Sequence, residues 1–507
     1  MKKILALLLV ALLLTGCGSQ GGAYVPTGDA LFQDTTAPDA DQPVNTNQEL
    51  TLGYNPDGTL NPYTETDATN RLLFSLMYQG LFSVSRSYEV EPVLCKSYSV
   101  SKDMKSYMFY LEPATFSDGS AITAEDVAQS LRAAWESPVY AGRFTYVSAI
   151  TAADGAVIVA LSTPCENLPI LLDIPIVKAA ETQEKWPMGT GAYYPETALS
   201  GLRLVRRENW WCRADLAVTT SVVPLLEVES ATMIRDDFEY GNIGLVCADP
   251  GTDTYVDYRC DYELWDCETG VFLYLACNEK SKVFSDENLR AALTYAIDRE
   301  TLATKFYGGF ASPASLPASP RSPYYSEKLA GQYSYNPEKF QQLVTEAAPK
   351  EMKITLLVNS ADSRRIRVAK EIGKMLEKAG FVVNVSALSG TAYTNALNKA
   401  NYDLHLGQTK LSPNMDLSAF FAPKGSLNFG GMSDAALYVL CQEALANAGN
   451  YYTLHQKVMA SGMLCPILFR SYAVYGQRGT FDSLTPAREN VFWYTLGKSL
   501  QNAQTDT

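Results

Sequence analysis

The chain has 507 residues, 47% of them hydrophobic and 19% charged, which supplies apolar material for two or three packed domains rather than one small one. Its formal net charge is −14 and no Lys/Arg-rich run interrupts the acidity, so nucleic acid is excluded as a partner. The 31 tyrosines read mainly as half-buried packing rather than as cleft lining.

The N-terminus reads as a targeting segment. Lys2 and Lys3 precede an apolar run, Ile4 to Leu14, that is too short to span a hydrocarbon core of about 30 Å. Leu14-Thr15-Gly16-Cys17 then resembles a bacterial lipobox. That resemblance implies that residues 1–16 are a signal peptide and that Cys17 becomes the lipidated N-terminus. Residues 17–48, rich in Gly, Thr, Asp, Pro and Gln and without Lys or Arg, read as a disordered tether. A flexible chain of this length reaches roughly 30 Å root-mean-square. The expected location is the cell membrane, lipid-anchored, on the extracellular or periplasmic side. No later run reaches about 18 apolar residues, so no membrane crossing is expected beyond the targeting segment.

From Glu49 the folded part begins. LTLGYN (50–55) alternates as a strand. Residues 58–70 form a loop, and RLLFSLMYQGLF (71–82) predicts a helix with Leu72, Leu73, Leu76 and Met77 on one face. Residues 97–113 predict a hairpin turning at Ser101–Lys105. In FSDGSAITAEDV (116–127) three carboxylates crowd together, a pattern that can mark acid/base chemistry. Local structure accounts for all three. Ser117-Asp118-Gly119 is a turn, and Thr123 with Asp126 fits a capping box that puts Glu125 and Asp126 in the first turn of a helix. Val127, Leu131, Ala134 and Trp135 follow at helical spacing as its buried stripe.

Further on, Ser285 is expected to cap a helix bearing Leu289, Ala292, Leu293, Ala296 and Ile297 on one face and ending at Gly308-Gly309. MKITLLVN (352–359), a helix from about Ser363 to Lys378, and FVVNVSAL (381–388) make a β-α-β unit of a parallel sheet. YDLHLGQT (402–409) is a further strand.

Candidate chemistry is sparse. There is no Walker loop, no G-x-S-x-G and no H-E-x-x-H. Only two histidines exist, His405 on a strand and His455 in a helical stretch, too few for a histidine-rich metal site. Setting Cys17 aside leaves nine cysteines, an odd number. Cys260 and Cys267 are the pair nearest in sequence that could bridge, and no CxxC occurs. Neither an enzyme, a resident metal nor a cofactor is expected. An exported lipoprotein hydrolase is the enzymatic alternative, and neither histidine lies near a Ser or Cys nucleophile motif.

Several stretches together resemble the extracellular solute-binding proteins of peptide and nickel ABC importers. These are, in order, LNPYTETDATNRLLFSLMYQGLF (60–82), EPVLCKSYSVSKDMKSYMFYL (91–111), FSDGSAITAEDVAQSLRAAW (116–135), GTGAYY (189–194), RENWW (207–211), VFSDENLRAALTYAIDRETL (283–302) and YNPEKFQQLVTEA (335–347). The resemblance covers nearly all of residues 49–500. It implies an α/β, type II periplasmic-binding-protein-like fold with two hinged lobes and an inserted domain. Domain I would comprise 49–66, 188–270 and 470–507, the inserted domain II 67–187, and domain III 271–469. It implies a monomer that captures a small solute, a peptide or a peptide-like one, and hands it to permease and ATPase subunits. A nickel chelate or another non-peptide solute is the alternative cargo. Peptide-binding members carry Gly-Trp-x-x-Asp after the strand matching Tyr402–Leu406, the Asp pairing with the peptide amine. Here Gln408 stands at the Trp and Leu411 at the Asp, so the amine anchor is missing. Lys410 in between points to an anionic group on the ligand, and Asp416 matches a later Asp that shapes a turn. The candidate ligand set is therefore Gln408, Thr409, Lys410, Asp416 and Asn428, with Tyr63, Glu65 and Asp67 of the opening loop. Glu65 and Asp67 are the candidates for a relocated anchor.

Overall fold

Leu52–Tyr54 opens a four-stranded sheet in which it lies parallel to Val222–Glu227, followed by Gly201–Arg206 and Tyr193–Ala198. This computed structural model describes residues 50–212, 214–252, 258–481 and 484–497; Cys17 and the tether lie outside them. Among the described residues no helix is long and apolar enough to cross a membrane.

A second four-stranded sheet, wholly antiparallel, runs Cys95–Val100, Ser106–Leu111, Ala156–Leu161, Val147–Ala153. The expected hairpin is there, its turn passing through Met104 at φ 53°. The helix Ala124–Glu136 packs on this sheet through Val127, Ala128, Leu131 and Ala134. Its N-terminus is the capping box read from the sequence: Asp126 N–H donates to Thr123 Oγ1 and Thr123 N–H to the Asp126 carboxylate. Asp118 closes its turn by accepting from Ser120 N–H, with Gly119 at φ 85°.

The third sheet has seven strands. Two are long, Tyr262–Cys277 with 16 residues and Leu464–Gln477 with 14, and they pair antiparallel along their length. At one end they neighbour Leu245–Ala248; at the other, Leu404–Lys410 joins Tyr262–Cys277. Lys353–Asn359 and Val382–Leu388 then extend the sheet in parallel, as the β-α-β reading requires, with helix Ser363–Glu377 between them. The two long strands slip register between Glu268 and Phe272, around Gly270 at φ 74°. Such an irregularity breaks the ladder where the pair passes from one set of neighbours to the other, a natural place to bend.

Three expectations need correction. Residues 71–82 are not one helix: Ala68–Leu72 and Phe74–Met77 are short, and the chain is extended from Tyr78. Within the extended part, a Cβ at Gly80 would stand 2.8 Å from the Phe82 carbonyl oxygen, so the segment packs there as tight backbone rather than as a helical turn. The cap of the helix Glu287–Ala296 is Asp286, which accepts from Asn288 and Leu289 N–H, and not Ser285. That helix stops at Ile297, and Asp298 caps a second one, Arg299–Tyr307, which ends on left-handed Gly308. Cys260 and Cys267 do not bridge, and all nine described cysteines are free thiols. Residues 262–267 run as extended strand, which at about 3.3 Å per residue carries Cys267 far beyond the roughly 7 Å limit of a disulfide.

The stretches that carry the resemblance meet as scaffold. A Cβ at Gly189 or Gly191 would collide with the backbone of Leu76–Met77, so the Gly-Thr-Gly serves close packing. Arg207 donates to the Thr115 and Phe116 carbonyls, tying RENWW to the turn ahead of FSDG. Trp210 Nε1–H donates to the Thr190 carbonyl, and Trp211 Nε1–H to Gln79 Oε1. Arg299 is buried and donates to the Ala314, Pro466 and Thr294 carbonyls.

Candidate functional site

Asp67 caps the helix Ala68–Leu72 by accepting from Thr69 and Asn70 N–H, and this fixes Arg71 one turn later. The 3-10 turn Ala141–Phe144 supplies Arg143, with Tyr140 ahead of it, and the segment after Leu168–Leu171 supplies Asp173. Between them and the C-terminal segment Ala487–Tyr494 lies a cavity of about 120 Å³, walled on its apolar side by Phe74, Tyr78, Trp493 and Tyr494.

The C-terminal wall is a tight turn. Ala487 and Asn490 exchange two backbone hydrogen bonds of 2.9 and 2.8 Å, and between them Arg488 and Glu489 both have positive φ, 44° and 67°. A two-residue hairpin with both central residues left-handed is ordinarily Asn-Gly or Asp-Gly. Two long charged residues cost roughly 1–3 kcal/mol each in that conformation, and such strain collects at functional sites. Both side chains line the cavity.

An ion network surrounds the turn. Glu489 pairs with Lys410 at the end of strand Leu404–Lys410 and lies 3.8 Å from Arg71. Asp173 pairs with Arg143 and lies 3.9 Å from Arg488. Burial alone would raise the Glu489 pKa, but Lys410 and Arg71 override it and hold the carboxyl at about 2. Lys410 is nevertheless pushed below the ordinary lysine range, by burial first and then by Arg71 and Arg143 against the pull of Glu489. Arg488, its side chain only 4% exposed, has no hydrogen-bond partner on Nε or Nη1. Ser75 Oγ and Asn490 Oδ1 on the same wall are also buried and unpartnered.

A second network sits at the register slip of the long strands. Asp266 pairs with both Arg86 and Arg321, while Glu268 accepts from Tyr88 and from Ser319 at 2.9 Å. Beside it, Arg470 pairs with Asp249 and donates to Gln408 Oε1 at 3.1 Å. These links join residues 86–88 to the loop near residue 320 across the long strands.

None of the eight candidate ligand residues lines the cavity itself. Lys410 meets it through Glu489. Tyr63 is buried and donates to the Pro175 carbonyl at 2.8 Å. Glu65 accepts from Thr59, Thr66 and Asp67 N–H and from Asn70 Nδ2 at 2.6–3.1 Å. Burial would raise its pKa, but those four donors lower it, and they leave little of the carboxylate for a ligand amine. Asp67 is a helix cap, Asp416 closes the turn into Ser418–Phe421, and Asn428 donates to the Ala422 carbonyl. Gln408 and Thr409 are half-buried on their strand, opposite Leu273 and Phe272. His405 Nε2 meets Tyr393 Oη at 2.6 Å, and burial holds both histidines near pKa 3. The turn Arg488-Glu489 escaped the sequence reading, because Ala-Arg-Glu-Asn carries none of the residues such a turn ordinarily demands.

The family profile "Bacterial extracellular solute-binding proteins, family 5 Middle" matches residues 89–429. The glutathione-binding protein GsiB of Pectobacterium atrosepticum is 26% identical over 352 residues, 65% of this chain and 67% of that protein. The ABC transporter substrate-binding protein CtaP of Listeria monocytogenes superposes with a TM-score of 0.70 at 20% identity, covering 87% of this chain and 97% of the other. The oligopeptide-binding protein AppA of Bacillus subtilis, solved with a nonapeptide, gives 0.58 at 20% identity, covering 89% and 99%. The fold is the three-domain binding-protein fold of those structures, its task is to hold a solute rather than to transform one, and the chain belongs to the family 5 bacterial extracellular solute-binding proteins.

Proposed function

We propose that this chain is a lipid-anchored receptor that captures a peptide or peptide-like solute outside the cytoplasm and delivers it to an ABC permease. The observation that carries this reading is the cavity beside the Ala487–Asn490 turn, in a chain of this family: it is part aromatic and part charged, and is lined from four separate stretches of sequence, around residues 71–84, 140–143, 173–175 and 487–494. The names of the similar proteins, a glutathione-binding and an oligopeptide-binding one, support peptide-like cargo. The bend lies at the register slip of the two long strands, between domain I with its insert and domain III, with borders near residues 67, 187, 271 and 469. From the domain III side the strand end reaches the cavity only through the Lys410–Glu489 ion pair. A ligand touching both sides favours the closed form by its differential affinity. Moving that equilibrium from 1:99 to 99:1 takes about 5.5 kcal/mol, within the roughly 8 kcal/mol of a micromolar ligand. The receptor works as a monomer.

With Leu411 at the anchor position and Glu65 occupied by its own loop, neither stands ready for a peptide amine, and the cavity's own carboxylates, Asp173 and Glu489, are already paired with cations. Unblocked peptides should bind no better than N-acetylated ones in isothermal titration; a preference of about tenfold or more for the free amine would show an anchor elsewhere. Cys17 is the proposed lipidation site. Cys17→Ala should release the protein from membranes, and palmitate incorporation into that variant would refute the anchor.

A further inference from the structure

On the reading of the chain as a solute receptor, which this inference requires, the groups around the cavity specify its cargo further. We propose that the cavity takes a small solute bearing two carboxylates and an amide N–H, with Arg488 receiving one carboxylate. Arg488 is the centre of the argument. Its guanidinium is buried, it stacks over the Tyr88 ring at 5.1 Å, and two of its N–H groups, on Nε and Nη1, point at no acceptor. Asp173, at 3.9 Å, is beyond hydrogen-bond reach and is already engaged by Arg143. Buried guanidinium N–H donors left open in a protein interior call for an anionic acceptor such as a carboxylate oxygen. Ser75 Oγ, buried and unpartnered on the same cavity, is a further donor.

Charge fixes the number. Arg71, Arg143, Lys410 and Arg488 face two carboxylates, Asp173 and Glu489, so two positive charges are unbalanced in a protein whose net charge is −14. The neighbouring clusters cannot supply the difference. Arg470 is matched by Asp249, and Arg86 and Arg321 by Asp266 and Glu268. A dianionic solute would complete the balance. Asn490 Oδ1, an unpartnered buried acceptor, would take the amide N–H.

N-Acetylglutamate has those three features in a small molecule, and N-acetylglutamine amide is its neutral counterpart of the same shape. In isothermal titration the intact protein should bind N-acetylglutamate at least about tenfold more tightly than the amide, and Arg488→Gln, folded by circular dichroism, should lose that preference. Should Arg488→Gln fail to fold, Ser75→Ala replaces it: it should weaken the acid severalfold and leave the amide unmoved. Equal binding of the two, no binding of the acid, a preference that survives the variants, or tighter binding of inorganic phosphate would each overturn the proposal. Binding of the amide or of a neutral peptide would leave the receptor reading standing while the dicarboxylate inference falls. The receptor reading fails separately, if no peptide is retained at all.

Discussion

Two charged regions of this molecule were built by opposite means. Around residues 116–127 every carboxylate is answered within a few positions: Asp118 by Ser120, Asp126 by Thr123 and Glu125 by Gln129. Lys178 adds a surface ion pair to Asp118. Around the cavity the partners come from far apart in sequence, Arg71 and Lys410 converging on Glu489, and Arg143 and Arg488 on Asp173. The first region balances its charges and ends a helix. The second leaves cations in excess and donors unmet, and sets two charged residues in a strained turn. A carboxylate cluster close in sequence is therefore weak evidence of a site, whereas an imbalance assembled from distant segments, at a conformational cost, is strong evidence.

Breaking the second region should cost most. Glu489→Gln leaves Lys410 and Arg71 without their nearest anion; with Lys410 36% and Glu489 19% exposed, solvent screening holds the cost to about 2 kcal/mol, between an exposed and a buried pair, read as a lower midpoint in urea unfolding. Replacing Arg488-Glu489 by Asn-Gly should cost less than that single change, because it removes a cation together with the anion and relieves the left-handed backbone. If the double change is the more damaging, the strain argument is wrong.

The acid limb of stability sharpens the comparison. His455 is fully buried in the helix Tyr451–Ser461, neither ring nitrogen has a hydrogen-bond partner, and burial lowers its pKa to about 3. The unfolded chain, with histidine near pKa 6.5, then takes up a proton that the folded chain refuses. Stability is full above about pH 6.5 and falls as pH drops toward 3, by up to about 1.4 kcal/mol per pH unit. Glu489 acts in a lower window. Its folded pKa of about 2 lies below the ordinary carboxylate value of about 4.3, so its contribution is full above that value and disappears as pH falls through 2. Urea unfolding of His455→Leu between pH 7 and 4 should show a flatter pH dependence than wild type; an unchanged slope would contradict the buried neutral histidine.

The smallest effect belongs to the first region. Thr123→Ala removes the cap of Ala124–Glu136 and should lower stability by about 1 kcal/mol without altering solute affinity.

What could be read in the sequence follows the same division. The capping box, the hairpin and the β-α-β register are set by neighbours within a few residues or by a strict alternation, so they were visible. The Ser285 expectation missed by one position because Ser285 and Asp286 are both competent caps, and only Asp286 has the helical residues at the right offset. The break at Asp298 was hidden because apolar spacing continues across it. The resemblance makes the opening loop ligand-facing, yet Glu65 and Asp67 turn their oxygens to their own backbone. Lys410 was singled out at the strand end, but its partner Glu489 lies 79 residues later in a turn with no turn residues, and no local rule reaches it.

Solute capture at the Arg488–Glu489 turn, without chemistry, is the central claim, and one measurement tests it most directly. Wild type and the Arg488-Glu489→Asn-Gly variant, both folded, are equilibrated with a peptide pool, separated from free peptide by gel filtration, and the retained molecules are weighed by mass spectrometry. Retention of a peptide of unaltered mass by wild type and its loss from the variant is the result predicted. Equal retention by both, or recovery of cleaved peptide from wild type, would contradict the account.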